Sequence, residues 1–74
     1  MNSYVEKHNR EANQARFYRM TVTPGLFGDW ALVREWGRIG RGGQVRTDWY
    51  NTIADAIAAR DVLLNAKIRR GYNT

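Results

Sequence analysis

Cysteine is absent from this 74-residue chain, and proline and histidine each occur once. Without cysteine there is no disulfide-stabilised scaffold and no thiolate metal site, which is what a reducing cytosolic compartment permits. No apolar run approaches the about 20 residues of a membrane span. The opening segment, MNSYVEKHNR, is too polar for a signal peptide. We therefore expect a soluble, cytoplasmic protein with no membrane partner.

Side chains suited to catalysis are also scarce. His8 is the one residue whose ordinary pKa lies near neutral pH, and it sits in a polar stretch where a solvated histidine is the common case. The seven acidic residues are scattered, so no pair is placed to activate a substrate or hold a metal. We expect no enzymatic activity, no catalytic or metal-binding residues, no cofactor and no small-molecule substrate.

The length allows one small domain, and 43% hydrophobic and 26% charged residues are ordinary values for a folded chain. Residues 17–23, 30–36 and 45–49 alternate apolar and polar side chains with a period of two, which predicts three strands. Residues 1–12 are predicted to form a polar arm or a short edge strand, and residues 13–74 the domain proper.

From Thr52 onward apolar side chains recur at spacings of three and four, which predicts an amphipathic helix. Thr52 with Asp55 resembles a capping box, and Gly71 after two arginines marks the end of the helix. The predicted fold class is α+β, a small antiparallel β-sheet with one C-terminal helix packed on one face.

Basic residues number 12 against seven acidic ones, and arginine is far commoner than lysine among them. A glycine-rich segment, residues 37–43, lacks the lysine of a nucleotide-binding loop and is predicted to be a hairpin turn. It carries Arg38 and Arg41, with Arg34 before it and Arg46 after it. Arg34 and Trp36 point to the same side of their strand.

Arginines beside aromatic rings suit phosphate contact combined with stacking on a base or sugar. Two readings of this pattern stay open, because alternating arginines also protect a solvated strand edge and Trp36 also fits a core position. Lys67 and Arg70 likewise fit the ordinary charge pattern of a helix C-terminus.

The stretch WALVREWGRIGRGGQVR contains Trp36-Gly37-Arg38, and with it the chain resembles the WGR domain family. Four further blocks resemble the family in the same order across residues 13 to 72. They are Asn13 with Arg16-Phe17-Tyr18, then Leu26-Phe27-Gly28, then Trp30, and finally Lys67 through Tyr72.

The resemblance implies a DNA-binding module that recognises breaks. By this likeness Trp36 would stack on a terminal nucleotide, Arg38 would contact the end phosphate or a neighbouring domain, and Arg34 would support the backbone contact. We expect double-stranded DNA ends or nicks as the partner, bound through Trp36, Arg38, Arg34, Arg41 and Arg46. Asn13, Lys67 and Arg70 are additional candidate contacts.

Three alternatives stay open from the sequence. The arginine-lined surface could dock on an acidic protein partner, which would make the chain an adaptor. The chain could instead self-associate through an exposed strand edge. RNA could replace DNA as the ligand, since both share the backbone charge. If DNA is bound, we expect the chain to be associated with the nucleoid.

Overall fold

The computed structural model describes residues 2–74 as four antiparallel strands followed by one helix. The strands lie side by side in chain order. They are β1 (Asn2–Asn9), β2 (Gln14–Pro24), β3 (Trp30–Arg38) and β4 (Gln44–Tyr50), and the helix is α1 (Ile53–Arg69). The predicted α+β class and the helix packed on one sheet face are confirmed.

The sheet has four strands, because the polar N-terminal stretch forms an edge strand of eight residues. It pairs with β2 along its whole length, from Asn2 opposite Thr21 to Asn9 opposite Gln14. Val5 is only 1% exposed and joins the core. Backbone pairing and this one buried side chain hold β1 in place although its sequence shows little periodicity.

The register settles which side of each strand faces the helix. Opposite residues in an antiparallel sheet share a face, so β3 presents its even-numbered side chains together with those of β2. Met20 and Leu32 are both 0% exposed at the centre of this layer. The buried core consists of Val5, Tyr18, Met20, Val22, Leu32 and, from α1, Ala56.

Helix α1 begins as the sequence predicts. The Thr52 side chain accepts a 3.1 Å hydrogen bond from the backbone N–H of Asp55, which satisfies one of the free donors of the first turn. At the other end Gly71 has φ +98°, a left-handed conformation that glycine adopts without strain.

The chain after α1 returns to the sheet. The N–H of Gly71 bonds to the carbonyl of Ile68, and the N–H of Tyr72 to that of Lys67, which is the pairing of a Schellman motif. Asn73 and Glu6 then exchange two backbone hydrogen bonds of 2.7 Å. This closure fixes the last turn of the helix beside β1 and β2.

The end of β3 differs from the prediction. Gly37 and Arg38 were expected in the hairpin turn, but both belong to β3, opposite Phe17 and Arg16. Gly37 has no side chain, and a Cβ there would lie only 3.0 Å from the Cα of Gly43 across the turn. The turn itself is confined to residues 39–43, where Gly40 has φ +85°.

The face of the sheet opposite the helix is uncovered, and we call it the open face. It carries the odd-numbered side chains of β4, of which Val45 is 61% and Trp49 59% exposed. Tyr4 and Phe17 stack on it with ring centroids 6.1 Å apart.

Candidate nucleic-acid interface

Trp36 lies on the helix side of the sheet, beside Tyr18 on the neighbouring strand. The two rings stack with centroids 5.6 Å apart and planes 14° from parallel. Trp36 is partly exposed and packs against the core cluster. Its indole therefore has a fixed orientation and still reaches the surface, where a flat ligand could meet it.

Arg34 shares that face, as the sequence predicts, and two hydrogen bonds within the protein hold its guanidinium. Its guanidinium donates to the Tyr18 hydroxyl at 3.4 Å and to the Asp48 carboxylate at 2.9 Å. Burial alone would lower the pKa of Arg34, but these two partners raise it above its ordinary value. Arg34 is thus a permanently charged group that braces the ring against which Trp36 stacks.

Arg46 lies opposite Arg34 on β4 and shares the same carboxylate. Its Nε donates to Asp48 at 3.2 Å, while 64% of its side chain is exposed. Asp48 is therefore shared by two arginines, and its single negative charge leaves a net charge of +1 among the three side chains.

Three basic residues lie directly opposite one another at the adjoining end of the same face. Lys7 of β1 is opposite Arg16 of β2, and Arg16 is opposite Arg38 of β3. We call Lys7, Arg16 and Arg38 the cation row. Within residues 2–74 no carboxylate forms an ion pair with any of them. Side chains directly opposite one another have Cβ atoms about 4.5–5.5 Å apart, and an opposed pair with like charges is destabilising.

Arg38 is partly held by the turn before β2. Its Nη2 donates to the backbone carbonyl of Asn13 at 3.2 Å, and Asn13 itself has φ +51°. An open cleft of about 240 Å³ lies beside this contact, lined by Gln14, Ala15, Arg16 and Arg38. Asn13 thus helps to position Arg38 through its backbone, at the edge of a basic cleft.

The C-terminal turn of α1 adds further positive charge above the row. The Lys67 ammonium lies 4.5 Å from the centroid of the Tyr18 ring and 5.8 Å from that of Tyr72. Burial lowers the pKa of Lys67, and the nearby Arg70, together with Arg34 and Arg16, lowers it further. The lowered pKa thus reflects burial first and then the positive charges that surround Lys67.

The structure thus brings seven of the eight sequence-predicted residues to the helix side and its adjoining end. Trp36, Arg38, Arg34, Arg46, Asn13, Lys67 and Arg70 lie there, and Arg41 lies in the exposed 39–43 turn beyond them. Sequence reasoning did not select Lys7 or Arg16 as site residues. Arg16 stood in a motif block, but its position between two other cations follows only from the register.

Across the described part of the chain, His, Cys, Asp and Glu side chains form no group of three that could hold a metal ion. Helix α1 is too short and too polar to cross a membrane, and it is the one helix in residues 2–74.

Comparison with known proteins agrees with the residues at the centre of this face. The model of the WGR domain matches residues 1–74. Over 69 residues the chain is 44% identical to the uncharacterized protein y4dW of Sinorhizobium fredii (strain NBRC 101917 / NGR234), covering 93% of this chain and 34% of that protein. The chain therefore spans about a third of the length of this curated relative. No solved structure matches it.

The family match accounts for the whole chain, including β1 and the end of β3 that carries Trp36-Gly37-Arg38. The WGR domain is generally a nucleic-acid-binding module, in keeping with the basic and aromatic side chains that share the helix side of the sheet. The chain belongs to the WGR domain family.

Proposed function

We propose that this chain is a non-enzymatic module that binds double-stranded DNA and prefers ends or nicks. The observation that carries the proposal is the cation row, three like charges on adjacent strands directly beside a partly exposed tryptophan. The setting in which it would act is the cytoplasm, at the nucleoid.

The cation row supports phosphate binding because it is unfavourable in the free protein. Lys7 and Arg38 flank Arg16, and the ion pairs of the described residues supply no carboxylate to offset the repulsion. A DNA backbone supplies regularly spaced negative charges, and arginine binds phosphate through charge-assisted, bidentate hydrogen bonds. Binding would thus convert a repulsive arrangement into an attractive one.

Trp36 supports a preference for ends. Its indole is held by stacking on Tyr18, which itself carries Lys67 over its ring. A fixed aromatic plane loses little entropy when a nucleotide stacks on it. At a duplex end or nick the last base pair already has a free face, so stacking there incurs no cost of opening the duplex.

The other basic residues have different roles, according to whether they are held within the protein or exposed. Arg34 is held by Tyr18 and Asp48, so we assign it the role of supporting the site. Arg46 and Arg41 are exposed and would contact the backbone beyond the end. Arg70 and Lys67 would reach it from α1.

The test compares a blunt, 5′-phosphorylated duplex with a closed dumbbell of the same sequence by fluorescence anisotropy across a salt series. Tighter binding to the open duplex that persists as salt rises is expected. Equal binding that collapses with salt would contradict end recognition, since only counterion release would remain.

Two further results of this experiment separate the alternatives. In a competition assay, an RNA duplex of matched sequence is expected to displace the DNA poorly, and efficient displacement would contradict a DNA-specific module. If neither duplex binds, the proposal fails, and an acidic protein becomes the better candidate for the same basic surface.

A further inference from the structure

Strand β4 forms an edge of the sheet that lacks a partner in the described structure. It is seven residues long, and five of them are exposed. Its open-face side chains Val45 and Trp49 are 61% and 59% exposed. An edge with free backbone donors and acceptors and exposed apolar side chains is a template for pairing with another strand.

The sequence of β4 is self-complementary about its central residue, Thr47. When two copies of the strand run antiparallel with Thr47 opposite itself, Val45 of one copy lies opposite Trp49 of the other. On the helix side of the sheet, Arg46 then lies opposite Asp48 of the second copy. Each contact occurs twice, so the interface contains two apolar Val45–Trp49 pairs and two Arg46–Asp48 ion pairs.

From this complementarity we infer that β4 pairs with β4 of a second copy of this chain, joining two four-stranded sheets into one sheet of eight strands. The interface is isologous, with the two-fold axis passing between the two Thr47 residues. The interface covers Val45 and Trp49, and it supplies hydrogen-bond partners for the free backbone N–H and C=O groups of β4. This inference concerns the free protein and does not depend on DNA binding.

The geometry of the dimer follows from the antiparallel pairing. The two-fold axis of such a strand pair stands perpendicular to the sheet, so both α1 helices lie on the same side. The two cation rows therefore face the same way, at opposite ends of the joined sheet. Two ligands bound there would be held together by one protein dimer.

The first test measures mass by sedimentation equilibrium from micromolar to millimolar concentration, without DNA, because a strand-edge interface belongs to the small, weak class. The weight-average mass is expected to rise from 8.6 kDa toward twice that value. A mass that stays at 8.6 kDa at millimolar concentration would overturn the inference.

The second test uses the lack of native cysteine. In the Thr47→Cys variant the two introduced thiols face each other across the axis, with Cα atoms about 4.5–5.5 Å apart, within the reach of a disulfide. In Gln44→Cys, on the same strand, symmetry separates them by about 20 Å, six residues of extended strand. Oxidation is expected to cross-link the first variant and not the second. Equal yields would contradict the register.

A charge substitution supplies the third test. Arg46→Glu places a carboxylate opposite Asp48 of the second copy at both ends of the interface and is expected to weaken dimerisation about tenfold, given two lost ion pairs and two new repulsions. Arg10→Glu makes the same charge change in the turn between β1 and β2 and should leave dimerisation unchanged. Equal effects of the two variants would count against β4 pairing.

Discussion

Replacing Arg16 with glutamine should stabilise the fold while weakening DNA binding. In the free protein Arg16 lies between two like charges, Lys7 and Arg38, on neighbouring strands. Cross-strand pairs contribute about 0.2–1 kcal/mol each, and the repulsive ones are destabilising. Arg16 is solvent-exposed, so we take the lower part of that range and expect a gain of about 0.5 kcal/mol.

Two assays on the same variant check both halves of this prediction. A gain of about 0.5 kcal/mol raises the melting temperature of a domain this small by roughly 2–4 °C. Loss of one phosphate contact makes the slope of log K against log salt concentration shallower by about 0.9. Glutamine keeps most of the aliphatic stem, so lost packing does not obscure the charge effect.

Arg19→Gln is the matched control, because Arg19 is on the same strand and points to the open face. There it forms an ion pair with Glu35 at 3.2 Å and lies over the Tyr4 ring. Its removal should leave the salt slope unchanged and cost a few tenths of a kcal/mol, as for other surface pairs. If Arg16→Gln destabilises the fold, or if both variants change the slope equally, the reasoning about the cation row is refuted.

Three further predictions concern Trp36, Lys67 and Gly71. Trp36→Ala should weaken binding to an open duplex by about 1–3 kcal/mol, measured by anisotropy on protein first shown to be folded, and an unchanged affinity would exclude stacking. Because burial and neighbouring cations lower the pKa of Lys67 below 10.5, DNA phosphates should raise it again. Binding should then take up protons and weaken as pH rises through the lowered pKa. Calorimetry in buffers of different ionisation enthalpy measures the uptake, which Lys67→Arg should abolish. Gly71→Ala should cost about 1 kcal/mol in urea unfolding, because φ is +98° there, and an unchanged midpoint would contradict the helix ending described above.

The strands and the helix could be predicted because their patterns are local. Alternation over residues 17–23 marked β2, and the helical period with Thr52 at its start marked α1. The side of β3 that faces the helix could not be chosen from the sequence, since both sides of that strand are partly apolar. The pairing with β2 determines which side of β3 faces the helix, because it places Trp36 opposite Tyr18 and Arg34 opposite Met20.

The cation row shows the limit of sequence reasoning at the site. Lys7 lies nine positions before Arg16 and 31 before Arg38, in a stretch without clear periodicity. Their proximity depends on the register of two strand pairs, which no spacing in the sequence reveals. The prediction that Arg34 shares a face with Trp36 is confirmed, whereas the bond from Arg34 to Asp48 is visible only in the folded chain.

The most direct test of the central claim uses the three tryptophans as reporters. Trp36 lies beside the cation row, whereas Trp49 lies on the open face and Trp30 at the opposite end of the sheet. An NMR titration at constant protein concentration with a blunt, 5′-phosphorylated duplex follows their three indole N–H signals. The Trp36 signal is expected to shift while the Trp49 signal stays in place. A shift of the Trp49 signal with the Trp36 signal unmoved would contradict DNA binding at the cation row.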